Sequence, residues 1–213
     1  MQRNIGYMKI SMIVNQRDIQ QLIERDKIFS VIYDQYGPPP NWSREPGFVS
    51  LSRIILEQQV SLASANAHFQ KLSHYIGIFL PQNILNLTDD EMRACHVCRQ
   101  KATYLRILSQ AVIREEINLT TLHILDEEDA RTQLTRLKGI GRWTSDIYLM
   151  FCMQAKDILP VGDIAVVSSI KELYGVQSVQ EIKQLSEQWR PLRSLASYFF
   201  WHYYLRKRNR PSV

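Results

Sequence analysis

The stretch Leu137-Lys138-Gly139-Ile140-Gly141-Arg142-Trp143-Thr144 constrains this chain more than any other. It lies between two segments of helical periodicity, about 127 to 136 and 142 to 154, and its two glycines admit positive φ that other residues avoid. The two segments are therefore expected to turn back on each other as a tight hairpin. A helix starting near Arg142 would present unpaired N–H groups and its positive dipole end beside glycines, so an anion could reach the backbone. The same composition also serves plain helical turns that bind nothing. Trp143 through Met153 is apolar nearly all round and is expected to run through a core.

The rest of the chain reads as helix as well. Only 8 glycines and 8 prolines occur in 213 residues, too little turn chemistry for a many-stranded β fold. Helical spacing recurs over Arg17 to Tyr33, Ser50 to Ala65 (with Ser50 as a capping candidate), 64 to 76, 99 to 113, Asp163 to Tyr174 and Pro191 to Lys207. Gly37-Pro38-Pro39-Pro40 interrupts the pattern, because proline removes a donor and biases its predecessor away from helix. The expectation is an all-α chain of about ten helices.

Charge and cysteine content narrow the function classes. Hydrophobic residues at 45% and charged residues at 22% suit a globular protein and not a disordered chain or coiled coil. No apolar run approaches the roughly 18 to 20 residues of a membrane span. Met1 to Val14 lacks the pattern of a signal peptide, and three cysteines do not make a disulfide framework, so a cytoplasmic protein with no membrane partner is expected. A net charge of +5 favours polyanionic partners. Cys95-His96-Val97-Cys98 has the spacing of half a zinc site, but no second pair follows. Arg206-Lys207-Arg208-Asn209-Arg210 is either a solvated tail or a source of phosphate contacts.

Some twenty residues beyond the hairpin stands Pro160-Val161-Gly162-Asp163, a carboxylate at the start of the next helix. Alone it reads as an N-cap, worth about 1 kcal/mol. Hairpin, apolar helix and Asp-bearing loop together resemble the helix-hairpin-helix (HhH-GPD) DNA glycosylase superfamily. Two further segments carry the resemblance. Ile54-Ile55-Leu56-Glu57-Gln58-Gln59-Val60-Ser61 is similar to its upstream helix, and Trp189-Arg190-Pro191-Leu192-Arg193-Ser194 with Ala196 and Trp201 is similar to the end of its alkylbase branch, the 3-methyladenine DNA glycosylase II type. The ordered motifs span Ser50 to Tyr204.

The resemblance implies a single glycosylase unit of two helical subdomains flanking a cleft. One would take in about 50–160 with the hairpin, the other about 1–49 plus 161–213, with Asp163 at the junction. It assigns Asp163 as the catalytic residue and Trp143 and Trp201 to the base pocket, although Trp143 could equally be core. Gln58 and Gln59 would wedge into the duplex, with a polar residue at a helix end as the plain alternative for Gln59. Gly139, Gly141 and Thr144 would meet DNA phosphate, and the carbonyls of Thr135, Leu137 and Ile140 would hold Na+ or K+. The charges of Arg99-Gln100-Lys101-Ala102 would face DNA or a solvated helix end.

The expected partner is double-stranded DNA with a damaged base, and the expected state a monomer in the cytoplasm, or in the nucleus of a eukaryote. The implied activity is excision of alkylated purines such as 3-methyladenine and 7-methylguanine in base excision repair. A glycosylase for another lesion, or a noncatalytic hairpin clamp on DNA, remains as an alternative. Departures refine this expectation. Strand-cutting members carry a Schiff-base lysine two residues after the second hairpin glycine, where this chain has Trp143, so no lyase activity is expected. No cysteine follows Cys152, so no iron–sulfur cluster is expected. Only about forty residues precede the core, which matches a compact form without an N-terminal β domain.

Overall fold

The computed structural model describes residues 12–209. Residues 1–11 and Arg210 of the basic tail lie outside the described residues. In chain order the helices are α1 (Gln16–Arg25), α2 (Lys27–Tyr36), α3 (Phe48–Glu57), α4 (Leu62–Ile76), α5 (Pro81–Leu85), α6 (Asp89–Ala94), α7 (Arg99–Ile113), α8 (Glu127–Thr135), α9 (Arg142–Met153), α10 (Ile164–Tyr174), α11 (Val179–Ser186) and α12 (Arg193–Lys207). The described residues contain no strand, and they form twelve α-helices where about ten were expected. The additions include the short α5 and α6, whose few residues leave no periodicity to read.

Local chemistry sets the breaks. The expected helix from Ser50 to Ala65 is two helices. Gln58 turns to ψ 128, Gln59 adopts φ 56, and Ser61 caps α4 by accepting from the Ser64 N–H. Ser50 does not cap α3, which starts from Gly47; its hydroxyl donates to the Glu45 carbonyl instead. Asp26 splits Arg17 to Tyr33 by ending α1 and accepting from the Ile28 N–H at 3.0 Å. Gly175 ends α10 in the left-handed region at φ 72, as its position after the last periodic residue predicts.

The chain forms two compact units. Among the described residues, 43–153 make one, and 12–42 together with 154–209 make the other. In the first, Leu51, Ile54 and Ile55 of α3, Leu105 of α7 and Tyr148, Leu149 and Met150 of α9 are fully shielded. Each such apolar side chain contributes about 1.5 to 3 kcal/mol. α8 and α9, the arms of the hairpin, are tied by a buried ion pair. Arg131 donates through Nε and Nη2 to Asp146 Oδ1 at 3.0 and 2.8 Å.

The second unit is built around aromatic residues. Phe29 meets Trp189 edge-on at 5.7 Å and Phe199 at 5.4 Å, and Trp189 packs on Phe200 at 5.2 Å. Asp26 Oδ2 accepts from Tyr174 Oη at 2.7 Å and from Trp189 Nε1 at 3.0 Å, so the buried polar tips of both rings are satisfied. Burial and the adjacent carboxylate push the Tyr174 phenol well above its ordinary range. The segment leading to Asp163 is pinned to α12. Arg193 grips Asp157 through Nε at 2.8 Å and Nη2 at 3.0 Å, while Ser194 Oγ donates to the Ala155 carbonyl and accepts from the Ile158 N–H. The Trp-Arg-Pro-Leu-Arg-Ser segment thus serves to hold the chain that presents Asp163.

Candidate active site and DNA interface

Asp163 stands at the head of α10, half-buried, after the exposed Gly162. Its Oδ1 accepts from the N–H groups of Ala165 at 2.9 Å and Val166 at 3.1 Å, so the N-cap reading holds as far as it goes. The same oxygen also accepts from Trp201 Nε1 at 3.0 Å. A helix cap does not need that third donor. Two N–H groups, the positive end of α10 and an indole fix the carboxylate in one orientation.

Trp201 is 9% exposed and sits in an aromatic group of the same unit. Tyr198 packs on it at 5.7 Å, and Trp42 meets it edge-on at 6.2 Å and Tyr198 at 5.2 Å. The structure therefore brings Asp163 and Trp201 together and adds Trp42, which sequence reasoning missed. Trp42 lies in the irregular stretch after the proline run, where no periodicity marks a residue; the indole itself, just past Pro38-Pro39-Pro40, was the available signal. Trp143 lies in the other unit, half-buried on the first turn of α9.

The hairpin between α8 and α9 is tighter than two flexible glycines would make it. Ile140 N–H donates to the Leu137 carbonyl at 3.0 Å, and of the two glycines only Gly139 takes positive φ, at +97. A Cβ on Gly139 would fall 2.2 Å from Tyr104 Cγ of α7, whereas one on Gly141 would meet nothing within 4 Å. Gly139 is thus required by backbone conformation and packing; Gly141 leaves open surface beside the start of α9, where an anion could approach.

An open hollow of about 390 Å³ lies here, lined by Gln58, Gln59, Lys101, Tyr104 and the hairpin from Leu137 to Gly141, with Thr135 beside them. Lys138 in its lining is exposed, as is Arg142 next to Gly141. Thr135, Leu137 and Ile140 share this lining, and their carbonyl oxygens are neutral hard donors of the kind a monovalent cation takes.

Three expectations are corrected. Thr144 is 2% exposed and its Oγ1 accepts from Gln58 Nε2 at 2.9 Å, so its hydroxyl faces inward and not toward phosphate. Gln58 is not a free wedge, because the same Nε2 also donates to the Gly139 carbonyl at 2.8 Å. Gln59, left-handed, is exposed, as is Val60 after it. Lys101 does not face outward in the first turn of α7: it is 8% exposed and its Nζ donates to the Leu56 carbonyl at 2.6 Å, with burial holding its pKa below the ordinary lysine value. In the Cys-x-x-Cys segment Cys95 is buried and Cys98 exposed, both as free thiols.

The family model described as HhH-GPD superfamily base excision DNA repair protein matches residues 52–192. The alkylbase DNA glycosidase-like protein mag2 of Schizosaccharomyces pombe is 24% identical over 187 residues, 83% of this chain and 87% of that protein. DNA-3-methyladenine glycosylase 1 of the same yeast is 26% identical over 173 residues, 78% of this chain and 76% of that one. A solved structure of the yeast 3-methyladenine DNA glycosylase (Mag1) in complex with abasic DNA superposes with a TM-score of 0.80 at 26% identity, covering 87% of this chain and 95% of that chain.

Proposed function

Because this chain belongs to the HhH-GPD superfamily of base excision DNA repair proteins, we propose that it is a monofunctional DNA glycosylase. It excises alkylated purines such as 3-methyladenine and 7-methylguanine from duplex DNA, and acts as a monomer. The observation that carries this reading is the hydrogen bond from Trp201 Nε1 to Asp163 Oδ1, which joins an aromatic wall to an oriented carboxylate. Relatives named as 3-methyladenine glycosylases, one of them solved with abasic DNA, support the same substrate class.

The chemistry is consistent with that pairing. A base inside a duplex is out of reach and must be flipped, at a cost of a few kcal/mol that damage lowers. Purines alkylated at N3 or N7 carry positive charge, and an aromatic face favours such charge by about 0.5 to 2 kcal/mol. Trp201 and Trp42 supply faces of this kind. The charged base leaves with the glycosidic electron pair, and positive charge develops on the sugar. Asp163 opposes that charge, and water then adds at C1′ and passes its proton to the Asp163 carboxylate. Gly141 and the head of α9 grip phosphate and Gln59 fills the vacated space; the carbonyls of Thr135, Leu137 and Ile140 would hold Na+ or K+, which would supply positive charge beside the phosphate.

The test is base release from a panel of single-lesion duplexes, with wild type and Asp163→Asn side by side. Release that is confined to an oxidised or deaminated base would assign a different lesion. Binding without any release would leave a noncatalytic clamp.

Two outcomes follow for individual residues. Trp201→Phe keeps aromatic area but removes the donor to Asp163, whereas Trp201→Ala removes both. Lesion-duplex affinity is expected to fall for Trp201→Ala and to hold for Trp201→Phe, while single-turnover release falls for both. Equal release by Trp201→Phe and wild type would show that the hydrogen bond does nothing for catalysis. With Trp143 at the position of the Schiff-base lysine, borohydride is expected to trap no covalent adduct on lesion DNA. A trapped adduct would identify another amine as nucleophile.

A further inference from the structure

Gln58 has two acceptors on the hairpin, and its position explains more than local packing. α3 ends at Glu57, and the next two residues turn the chain out to Gln59, which holds φ 56 although it is not glycine. A side-chain-bearing residue stays in that region only where its surroundings fix it. Three contacts flank this turn, two of them from one face of α7. Lys101 Nζ holds the Leu56 carbonyl at 2.6 Å, one of the last carbonyls of α3 that lack an intrahelical donor. Tyr104, three residues on and therefore on the same face, lies under Gly139 so closely that no Cβ fits between them. Gln58 Nε2 closes the third side through the Gly139 carbonyl and Thr144 Oγ1.

We infer that Gln58 is a positioning residue that locks the Gln59 turn to the hairpin, so that the phosphate gripped by the hairpin and the point where Gln59 enters the duplex stand at a fixed offset. The inference rests on the DNA-binding role proposed for this hairpin. Lys101 and Tyr104 supply the common base for both parts: one amine ends α3 and one ring supports the turn. The offset matters because the flipped nucleotide must lie a set distance from the gripped phosphate. A hairpin free to shift against Gln59 would grip DNA as well but would flip poorly.

Gln58→Glu tests this, since it keeps size and shape while placing a carboxylate against the Gly139 carbonyl in place of a donor. Hydrogen exchange of the protein on an undamaged duplex reads the coupling without any base release. In wild type, duplex is expected to protect residues 58–61 and 139–144 together; in Gln58→Glu it is expected to protect the hairpin and leave 59–61 unprotected. Single-turnover release is expected to fall at least tenfold while duplex affinity stays within about threefold. Thr144→Val, which removes one of the two acceptors and keeps the buried volume, is expected to fall between the two. Protection of both segments in Gln58→Glu, or a loss of affinity as large as the loss of rate, overturns the inference. Intact coupling in a wild type that releases no base would refute the glycosylase reading and leave this one standing.

Discussion

Asp163→Asn is expected to release 3-methyladenine about 10² to 10³ times more slowly than wild type, a loss of roughly 3 to 4 kcal/mol of transition-state stabilisation. The variant separates charge from structure. Asparagine keeps a carbonyl oxygen where Oδ1 stands, so the N–H groups of Ala165 and Val166 and the indole of Trp201 keep an acceptor. Asparagine is also among the best N-caps, so α10 should start as before. What disappears is the negative charge that opposes the developing charge on the sugar. Affinity for a duplex carrying an abasic-site analogue is expected to change little, or to rise as repulsion from phosphate is relieved. Single-turnover release and abasic-duplex binding, measured together with melting temperature, check all three statements. Near wild-type release from Asp163→Asn would reduce the residue to a helix cap, and the mechanism built on it would fall.

The second large effect is on the hairpin, where its two glycines are expected to behave differently. Gly139→Val places a branched side chain at φ +97, with its Cβ 2.2 Å from the Tyr104 ring. The backbone strain costs about 1 to 3 kcal/mol and the overpacking a comparable amount. At about 2 to 4 °C per kcal/mol for a chain of this size, the combined cost of about 2 to 6 kcal/mol should lower melting by about 4 to 24 °C. Affinity for every duplex, damaged or not, should fall with it, because the phosphate contacts proposed for the hairpin carry no base information. Gly141→Val meets no atom within 4 Å of its Cβ, so stability should hold while affinity drops for all duplexes alike. Pairing Gly139→Val with Tyr104→Ala removes the overlap but not the strained φ, and should restore part of the melting temperature. Equal melting of the two glycine variants would contradict the assignment, as would a loss confined to lesion duplexes in Gly141→Val.

Much of the architecture was legible in the chain because helices record burial at fixed spacing. α7, α8, α9 and α10 fall within a residue or two of their periodic segments, and Gly175 stops α10 where a glycine after the last apolar residue predicts. The apolar run after the hairpin is buried nearly throughout α9. The break between α3 and α4 was legible only through the family resemblance, which ends a helix at Gln58-Gln59, since Gln58-Gln59-Val60 contains no glycine or proline and the apolar spacing runs on across it. Long-range contacts hold that break open: Lys101 from 45 residues away and Gly139 from 81 residues away. Trp42 lies in a proline-interrupted stretch where spacing says nothing about which way a side chain faces.

The sequence by itself determined an all-helical chain, a hairpin of glycines followed by an apolar helix, the family, and Asp163 as the carboxylate to examine. All of these depend on residues close in the chain, or on residue types in a fixed order. Tertiary structure alone decided which polar groups are spent on holding the fold and which are left to act. Gln58, Thr144 and Lys101 look as available for DNA as Gln59 and Lys138 do, yet the first three are committed to the Gly139 carbonyl, to one another and to the Leu56 carbonyl. Asp163 reads as an ordinary cap until Trp201, 38 residues on, supplies a further donor. A hydrogen bond is directional and reaches only about 3 Å, so its partner is fixed by how the helices pack and leaves no spacing in the sequence.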